Sequence, residues 1–343
     1  MTDGKSSASI LIWLVLTALT IGTFVVSIGV GRYFVPPDRV LGILASLIVP
    51  VEPFWTPKEE AIVMLIRFPR IVAALITGAG LSVAGAALQG MFKNPLVGPQ
   101  IIGVSTGAGF GGALAIMASW GGLSIISSAF AFGIVAIVLV WSICGRMGRG
   151  SLLPLILAGV VVGAFFTSLT SLLKFVADPY DKLPAIVMWL MGSFATVTYK
   201  SLATSIPALI VAGTGLYAVR FRINILSLGE EEAESLGMNP RRTRWFVVAC
   251  VTLISSATVA LAGIVGWVGL VIPHVARAIV GANHRRLLPA SALIGGAYLV
   301  GMDDLARCAT TMEIPLGVIT ALIGAPFFAV LLIRGRVREG GGR

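Results

Sequence analysis

The stretch RFPRIVAALITGAGLSVAGAALQGMFKNPLVGPQIIGVSTGAGFG, residues 67 to 111, holds two apolar segments separated by a short polar connection. Small residues recur at every fourth position along both segments, which continue to residue 119: Gly78, Ser82, Ala86 and Gly90 in the first, and Gly103, Gly107, Gly111, Ala115 and Ser119 in the second. In lipid, such stripes let helix backbones approach closely. They predict two central helices that pack inside one bundle, with self-association of the stripes as the alternative.

The composition of the whole chain agrees with a membrane protein. Of 343 residues, 57% are hydrophobic and only 12% charged, and the mean hydropathy is +0.97. Backbone groups in lipid must bond within their own segment, so we predict an all-α, polytopic fold in one transmembrane domain, residues 1 to 343. Ten transmembrane helices are expected at 10–31, 68–91, 101–120, 123–144, 152–175, 199–219, 245–264, 266–280, 288–306 and 315–333, of which the eighth is short.

The distribution of charge predicts the orientation. If the chain starts inside, the cytoplasmic connections and ends carry sixteen of the 25 Lys and Arg residues and six of the 15 acidic residues, so the net charge of +10 lies on that face. We therefore expect both termini in the cytoplasm and the first span to be retained in the membrane. Contact with lipid headgroups accounts for the positive charge, and no nucleic-acid partner is expected.

The chain has few groups that could drive transport or chemistry. No Asp, Glu, Lys or Arg falls at the middle of a predicted span, no G-x-x-x-x-G-K-[ST] or G-x-S-x-G motif occurs, and the three cysteines have no CxxC spacing. We expect no catalytic residues, no bound cofactor, no metal and no disulfide. An ion-coupled secondary transporter stays open as an alternative, which uptake driven by an ion gradient without an ATPase would reveal.

A weak internal repeat suggests two related halves. LSVAGAALQG, residues 81–90, is similar to VALAGIVGWVG, residues 259–269, and a proline-containing segment follows each stretch. The two spans run in opposite directions, so the similarity indicates an inverted repeat of the kind found where access alternates between two faces.

The segment NILSLGEEEAESLGMNPRRTR, residues 224–244, is the most polar cytoplasmic stretch. Ser227 and Glu230 have capping-box spacing, the acidic residues that follow suit the start of a helix, Gly237 can end it, and Pro240 prevents its continuation. We predict a short helix, which either links two spans or docks a peripheral motor. On the opposite face, Arg67, Arg70 and Arg307 either anchor the membrane interface or pair with an acidic external partner.

These segments resemble a known family, the permease subunits of type II bacterial ABC importers for ferric siderophores, haem and cobalamin. The resemblance rests on residues 67–111, LILAG (155–159), LGEEEAESLGMN (228–239), GWVGLVIPHVAR (266–277) and PLGVITALIGAPFF (315–328), in the family's order. It implies an inner-membrane homodimer, two separate ABC ATPase subunits that use ATP and Mg, and a periplasmic substrate-binding protein.

The resemblance also implies roles for particular residues. Residues 226–239 match the segment that couples to the ATPase, with contacts expected from Leu228, Gly229, Glu230, Glu231, Ala233, Leu236 and Gly237. Arg67, Arg70 and Arg307 match the arginines that dock the binding protein. The cytoplasmic gate corresponds to Asn94, Leu96, Leu152 and Leu153.

The expected substrate is an iron chelate, with haem slightly favoured over a ferric siderophore and with cobalamin as the alternative. His274 follows Pro273 in the eighth span, where helix packing is favoured over ligation of haem. The family's usual loop is NPLA-[DE]-P, whereas this chain has NPLVGP at residues 94–99 and lacks the acidic residue. An ion site in this loop is therefore not expected.

Overall fold

The computed structural model describes residues 3–146 and 153–340, which fold into α-helices joined by short connections. A π-helical turn at Ile62–Arg67 leads into the fourth helix, and a 3₁₀ turn at Pro99–Ile102 leads into the fifth. The helices are α1 Asp3–Gly29, α2 Pro37–Ala45, α3 Pro57–Ala61, α4 Phe68–Phe92, α5 Val104–Met117, α6 Gly122–Arg146, α7 Leu153–Val176, α8 Lys182–Met191, α9 Tyr199–Ala218, α10 Arg220–Leu228, α11 Glu230–Ser235, α12 Pro240–Ala262, α13 Val268–Val280, α14 His284–Cys308 and α15 Leu316–Gly340.

Each of the ten windows predicted from the sequence overlaps one of the described helices with 13 or more residues. Within the described residues, six helical segments are long and apolar enough to cross a membrane, and α5, α8, α13 and the first part of α15 are shorter apolar helices. Helix α14 belongs to neither group, so the count of ten spans stays a prediction. The expected short eighth segment is α13, with 13 residues. The all-helical, polytopic fold is thus confirmed.

Four short helices escaped the sequence prediction: α2, α3, α8 and α10. They have 5 to 10 residues, so a window of about 20 residues averages each with its neighbours. Local capping signals exist for α3, where the Thr56 side chain accepts from the Glu59 backbone and the Glu59 carboxylate accepts from the Thr56 N–H. Capping, rather than hydropathy, is the signal that marks this helix.

The small-residue stripes pack inside the bundle, as predicted. A Cβ at Gly78 would collide with the backbone of Gly295, so α4 and α14 cross in direct backbone contact. On α5, Gly107 and Gly111 lie in the same way against the backbone of α6. Close approach of small residues maximises van der Waals contact where no hydrophobic force favours association.

Helices α4 and α12 form the centre of the molecule. The most apolar window of the segment Pro57–Phe92 is 72% buried and that of α12 is 78% buried, against 11% for α1. A helix enclosed on all sides is held by packing along its whole length, whereas α1 is bound mainly along one side to α14. The described chain therefore has a firm centre and a looser periphery.

The proposed repeat motif does not have equivalent structure in its two copies. Residues 81–90 are entirely helical within α4, whereas residues 259–269 cover the end of α12, a connection with Gly263 at φ +70°, and the start of α13. The two stretches instead contact each other, because Gly85 lies directly against the Gly269 backbone. The two stretches therefore do not have matching local structure, and the inverted repeat of the two halves stays a prediction.

Two ends of the bundle carry the polar side chains. We call the end with the 93–98 loop, α10, α11 and residues 281–284 the inner end, which the charge distribution predicts to be cytoplasmic. The outer end comprises residues 30–61, the connection at 192–198 and the connection at 309–315.

Candidate functional site

The 93–98 loop at the inner end is a shaped turn. Helix α4 ends at Lys93 in the left-handed conformation, where the Lys93 and Asn94 N–H groups donate to the Gly90 and Gln89 carbonyls. The Asn94 carboxamide then accepts from the Leu96 N–H at 2.9 Å. This Asx turn fixes the loop through a side chain, as short polar residues often do.

The loop has a buried base and an exposed apolar tip. Val97 and Pro99 are buried within the chain, whereas the side chains of Asn94 and Leu96 are exposed, Leu96 by 49%. An apolar side chain held outward by a rigid turn is suited to contact another chain.

Of the other two expected gate residues, Leu153 begins α7 and is exposed, and Leu152 lies outside the described residues. Helix α7 packs against the 3₁₀ turn that continues the 93–98 loop, since Gly159 lies against the backbone of Ile101 and Ile102. The structure thus joins the loop to α7, six residues beyond Leu153.

The expected coupling segment, residues 226–239, contains the short helix α11. Its predicted capping box is wrong: the Ser227 hydroxyl donates to the Asn224 carbonyl inside α10, because the chain breaks at Gly229 and α11 starts only at Glu230. Gly237 does end the helix, with φ +73°. A left-handed residue of this kind costs least as glycine.

The coupling segment exposes apolar and acidic groups together. Leu228 and Leu236 are each about two-thirds exposed, at 64% and 65%, whereas Ala233 is fully buried. Glu230 forms an ion pair with Arg244 of α12, which ties α11 to the following helix. Glu231 is exposed beside them. Exposed leucines flanked by carboxylates make a surface suited to a protein partner.

Direct hydrogen bonds connect the coupling segment to α4. Lys93 Nζ donates to the Leu228 carbonyl at 2.6 Å, which joins the 93–98 loop to the end of α10. Behind this contact, the His284 ring lies between two oxygens: Nδ1 is 2.7 Å from Asn224 Oδ1 and Nε2 is 3.2 Å from the Ala86 carbonyl. The ring therefore bridges α10 and α4 from the start of α14.

The His284 ring is held in its neutral form. Burial lowers the pKa of this imidazole from 6.5 to about 4, and the charge of Arg277 acts in the same direction, while the Ala86 carbonyl opposes the shift. A neutral imidazole has one N–H, so it donates to Asn224 or to Ala86 but not to both at once. Sequence reasoning missed His284, because its partners lie 60 and 198 residues away in the chain.

Two further polar contacts join α13 to the same region. Arg277 Nη2 donates to Gln89 Oε1 at 2.9 Å, and Gln89 Nε2 donates to the Leu270 carbonyl at 3.3 Å. His274 packs against Phe328, with ring centroids 6.3 Å apart, which is the packing role favoured from the sequence. Among the described residues, no group of three or more His, Cys, Asp or Glu is arranged to hold a metal ion.

The structure brings the three outer arginines together, but each is buried and bound within the chain. Arg67 donates to the carbonyls of Ile28 and Gly29 at 2.6 and 2.9 Å and to that of Tyr33. These carbonyls lie at and just beyond the C-terminal end of α1, where the partial negative charge of the helix favours a cation.

Arg70 lies between two carboxylates from distant parts of the chain. Its Nε and Nη2 donate to Asp303 at 2.9 Å each, and Nη1 and Nη2 donate to Glu313 at 2.9 and 3.0 Å. Bidentate pairs of this kind are the strongest ion-pair geometry. Asp303 is fully buried, whereas the Glu313 side chain is one-third exposed, so the pair opens to the surface only on the Glu313 side.

Arg307 completes this outer cluster, which we define as Arg67, Arg70, Asp303, Asp304, Arg307 and Glu313. Arg307 pairs with Asp304 and donates to the Ser27 carbonyl at 2.7 Å. The cluster joins α1, α4, α14 and the 309–315 connection. It is a buried network with three cations and three carboxylates.

Comparison with known proteins identifies similar sequences over nearly the whole chain. A family model described as the FecCD transport family matches residues 19–334. The molybdate import system permease protein MolB of Haemophilus influenzae is 40% identical over 95% of this chain and 96% of its own. A protein of Helicobacter pylori named as a probable iron chelatin transport system permease is 41% identical over 80% of this chain and 83% of its own.

A solved structure has a closely similar fold. It is described as an inward-facing conformation of a metal-chelate type ABC transporter, and it superposes with a TM-score of 0.85 at 39% identity, covering 95% of this chain and 99% of that one. Other relatives are named for cobalamin and hemin transport. The names of the relatives thus cover several substrates.

Proposed function

The chain belongs to the FecCD transport family and is a multi-pass transport subunit rather than an enzyme, and from this premise we propose how it works. It forms a homodimer of ten-span subunits in the bacterial inner membrane, with both termini in the cytoplasm. Two separate ABC ATPases bind at the inner end and use ATP and Mg, and a periplasmic binding protein delivers substrate to the outer end. Substrate then crosses by alternating access.

One observation carries the proposed mechanism: the hydrogen bond from Lys93 to the Leu228 carbonyl joins the coupling segment to the 93–98 loop. With the His284 bridge to Asn224 and Ala86, it ties α10 to the end of α4 at two points. A displacement of α10 therefore pulls on the same turn that carries Asn94 and Leu96. An isolated linker helix would have no need of such a connection.

At the ATPase contact, Leu228 and Leu236 provide apolar area and Glu231 provides charge. Gly229 and Gly237 set the two ends of α11, buried Ala233 packs its inner side, and the Glu230–Arg244 pair keeps it attached to α12. When ATP binds to the ATPase, force applied to α11 is thereby passed to α12 through the Glu230–Arg244 pair and to α4 through the contact of Leu228 with Lys93.

The proposed gate consists of the tips of two 93–98 loops, one from each subunit. Asn94 holds the turn, Leu96 closes the path, and Leu153 lines the path at the start of α7. Exposed Leu96 would meet its counterpart across the two-fold axis, where contact between apolar side chains excludes water.

At the outer end, we propose that the binding protein docks over the cluster of Arg67, Arg70 and Arg307. Because Arg70 and Arg307 already have carboxylate partners, a partner's acidic residue must compete with Glu313, the most exposed of these carboxylates. Substitution Glu313→Gln should therefore free part of the Arg70 charge and strengthen docking several-fold. The affinity is measured by titrating the binding protein against immobilised permease. A weaker or unchanged affinity would contradict docking through Arg70.

The ATPase contact can be tested with two glycines of similar geometry. Gly237 and Gly281 both have positive φ, at +73° and +82°, and at both there is open space around a Cβ. Gly237→Val should release the ATPase from the permease in detergent pull-downs, whereas Gly281→Val also places a β-branched residue at positive φ, outside the coupling segment, and should retain it. Equal loss would show a general effect of strain.

For the substrate, we propose an iron chelate, with haem first among the chelates and cobalamin as an alternative within the family. Apolar helices with few charges suit a large, partly apolar chelate. Molybdate is a second candidate, because the relative named for its import matches 95% of this chain at 40% identity.

The substrate proposal is tested by uptake into proteoliposomes that contain permease, ATPase and binding protein. Radiolabelled ferric chelate, haem, cobalamin and molybdate are compared with and without ATP. ATP-dependent uptake of a ferric chelate or haem supports the proposal, and uptake of molybdate alone contradicts it. Uptake without ATPase, driven by an ion gradient, would overturn the ABC mechanism itself.

A further inference from the structure

Two neighbouring cavities on the inner half of the bundle share lining residues, and we call the pair the interfacial groove. The part nearest the inner end has a volume of about 690 Å³ and is lined by Trp13, Tyr217, Asn283, Arg285, Arg286 and Pro289, among others. The part towards the middle of the bundle has a volume of about 280 Å³. Tyr217 and Pro289 line both parts, so the two volumes share a boundary.

The inner part of the groove is cationic and aromatic. Arg285 and Arg286 are exposed there, and no acidic residue is among the described residues that line it. A third guanidinium is close by, because Arg220 stacks on the Tyr217 ring at 4.1 Å. Arginine matches the geometry of a phosphate group and is more weakly hydrated than lysine.

The other part of the groove is apolar. It is lined by α4, α9 and α14 through residues that include Ile76, Gly80, Val83, Leu209, Gly213 and Leu288. A Cβ built on Gly213 meets nothing within 4 Å, so the absence of a side chain there leaves room beside α9. A slot of this shape suits a hydrocarbon chain.

The depth of the groove places its two parts in different surroundings. Tyr217 lies near the end of the predicted span 199–219, and Arg285 and Arg286 precede the predicted span 288–306. The cationic part therefore lies at headgroup level and the apolar part lies within the hydrocarbon. Trp and Tyr are favoured at this interface.

We propose that the interfacial groove binds an anionic phospholipid. Its phosphate lies between Arg285 and Arg286 at the inner surface, its glycerol region lies beside Tyr217 and Pro289, and one acyl chain fills the apolar part beside Gly213. Anionic lipids attract basic residues near a membrane surface, and the apolar slot adds a contact that general attraction lacks. This inference goes beyond the proposed transport function and depends only on membrane insertion.

The experiment compares lipid binding by the purified full-length protein using native mass spectrometry. Phosphatidylglycerol and phosphatidylcholine with identical acyl chains are titrated against wild type, Arg285→Gln/Arg286→Gln and Gly213→Leu. Wild type should prefer phosphatidylglycerol about tenfold, Arg285→Gln/Arg286→Gln should lose most of that preference, and Gly213→Leu should weaken the binding of both lipids about tenfold. Arg222→Gln/Arg242→Gln is the control, because it removes equal charge from the inner end outside the groove.

Several results would overturn the proposal. Equal loss in the control variant would show that only general electrostatic attraction acts. Unchanged binding in Gly213→Leu, or full displacement of the lipid by inorganic phosphate, would show a phosphate site without an acyl slot. Crosslinking of two chains through a cysteine at position 213 would show that a second copy covers the groove instead.

Discussion

The two ends of this permease are fastened in different ways. At the outer end, Arg70 is clamped between Asp303 and Glu313 by bidentate bonds, and the cluster is buried. At the inner end, a hydrogen bond from Lys93 links the exposed 93–98 loop to α10. The His284 ring donates a hydrogen bond to only one of its two acceptors, Asn224 or Ala86, at a time. Strong buried networks hold elements in one arrangement, whereas single exposed contacts break and re-form easily.

The contrast indicates which end moves. An ion-pair network that spans α1, α4 and α14 resists relative motion of those helices at the outer end. At the inner end, the described contacts include the ion pair of Glu230 with Arg244 and a hydrogen bond that runs directly from the coupling segment to the loop. We therefore expect ATP-driven motion to begin at the inner end and to pivot about the outer cluster.

The largest effect is expected from breaking the outer cluster. Substitution Arg70→Met leaves the Asp303 carboxylate buried without its main partner, which costs about 3–5 kcal/mol of the free energy of unfolding. Thermal unfolding in detergent should show a large drop in Tm or loss of folded protein. Glu313→Gln removes the more exposed partner and should cost about 0–1 kcal/mol. Equal effects of the two substitutions on Tm would show that the buried Arg70–Asp303 pair does not stabilise the fold more than the exposed Glu313 contact does.

The next effect is expected from the His284 bridge. His284→Ala removes the one hydrogen bond that the neutral ring donates at a time, worth about 1 kcal/mol, and should lower substrate transported per ATP about fivefold while the ATPase still binds. His284→Asn keeps a donor towards Asn224 only, and His284→Gln keeps one towards Ala86 only, so both should be intermediate. If Tm and the transport rate fall together while the amount of substrate transported per ATP is unchanged, His284 has a structural role alone.

These predictions show what the sequence could and could not reveal. The four-residue spacing in α4 is a local pattern, and it predicted the close crossing correctly. The grouping of Arg67, Arg70 and Arg307 was predicted through the family, but their burial was not, because Arg70 and Asp303 are 233 residues apart. His284 carries no local signal, since only the folded chain brings it beside Asn224 and Ala86.

The capping box at Ser227 illustrates a second kind of limit. Its spacing to Glu230 was right, but a cap also requires the helix to start at the next residue. Gly229, with φ 169° and ψ 167°, instead delays the start to Glu230. The choice between two helix starts depends on how α10 packs against α4 and α14, which short-range rules do not include.

A smaller effect is expected from pH. The folded His284 imidazole has a pKa of about 4, below its ordinary 6.5, so the unfolded chain binds this proton first as the pH falls. The free energy of unfolding should therefore decrease from about pH 6.5 down to about pH 4, and this contribution is fully present above pH 6.5. His284→Gln should lack it, so the difference in Tm between wild type and variant should change across this window. A constant difference would contradict a buried neutral ring.

The smallest effect is expected from the exposed contact of the loop. Lys93→Met keeps the length of the side chain but removes its donor to the Leu228 carbonyl, worth about 0.5–1 kcal/mol. Transport per ATP should fall about threefold with no change in Tm. Lys93→Arg keeps a donor and should retain most of the activity. If transport per ATP is unchanged in the Met variant, the contact of Lys93 with Leu228 does not transmit motion from the coupling segment to the loop.

The most direct test of the account is a crosslink between the two proposed gate loops. In a chain without Cys144, Cys250 and Cys308, a cysteine at position 96 is oxidised in the assembled transporter, with Met312→Cys at the exposed outer connection as the control. We predict that the crosslink at position 96 stops ATP-driven uptake, leaves ATPase assembly intact and is reversed by reduction, while Met312→Cys has no such effect. Continued uptake by fully crosslinked protein would contradict the assignment of the 93–98 loop as the moving gate.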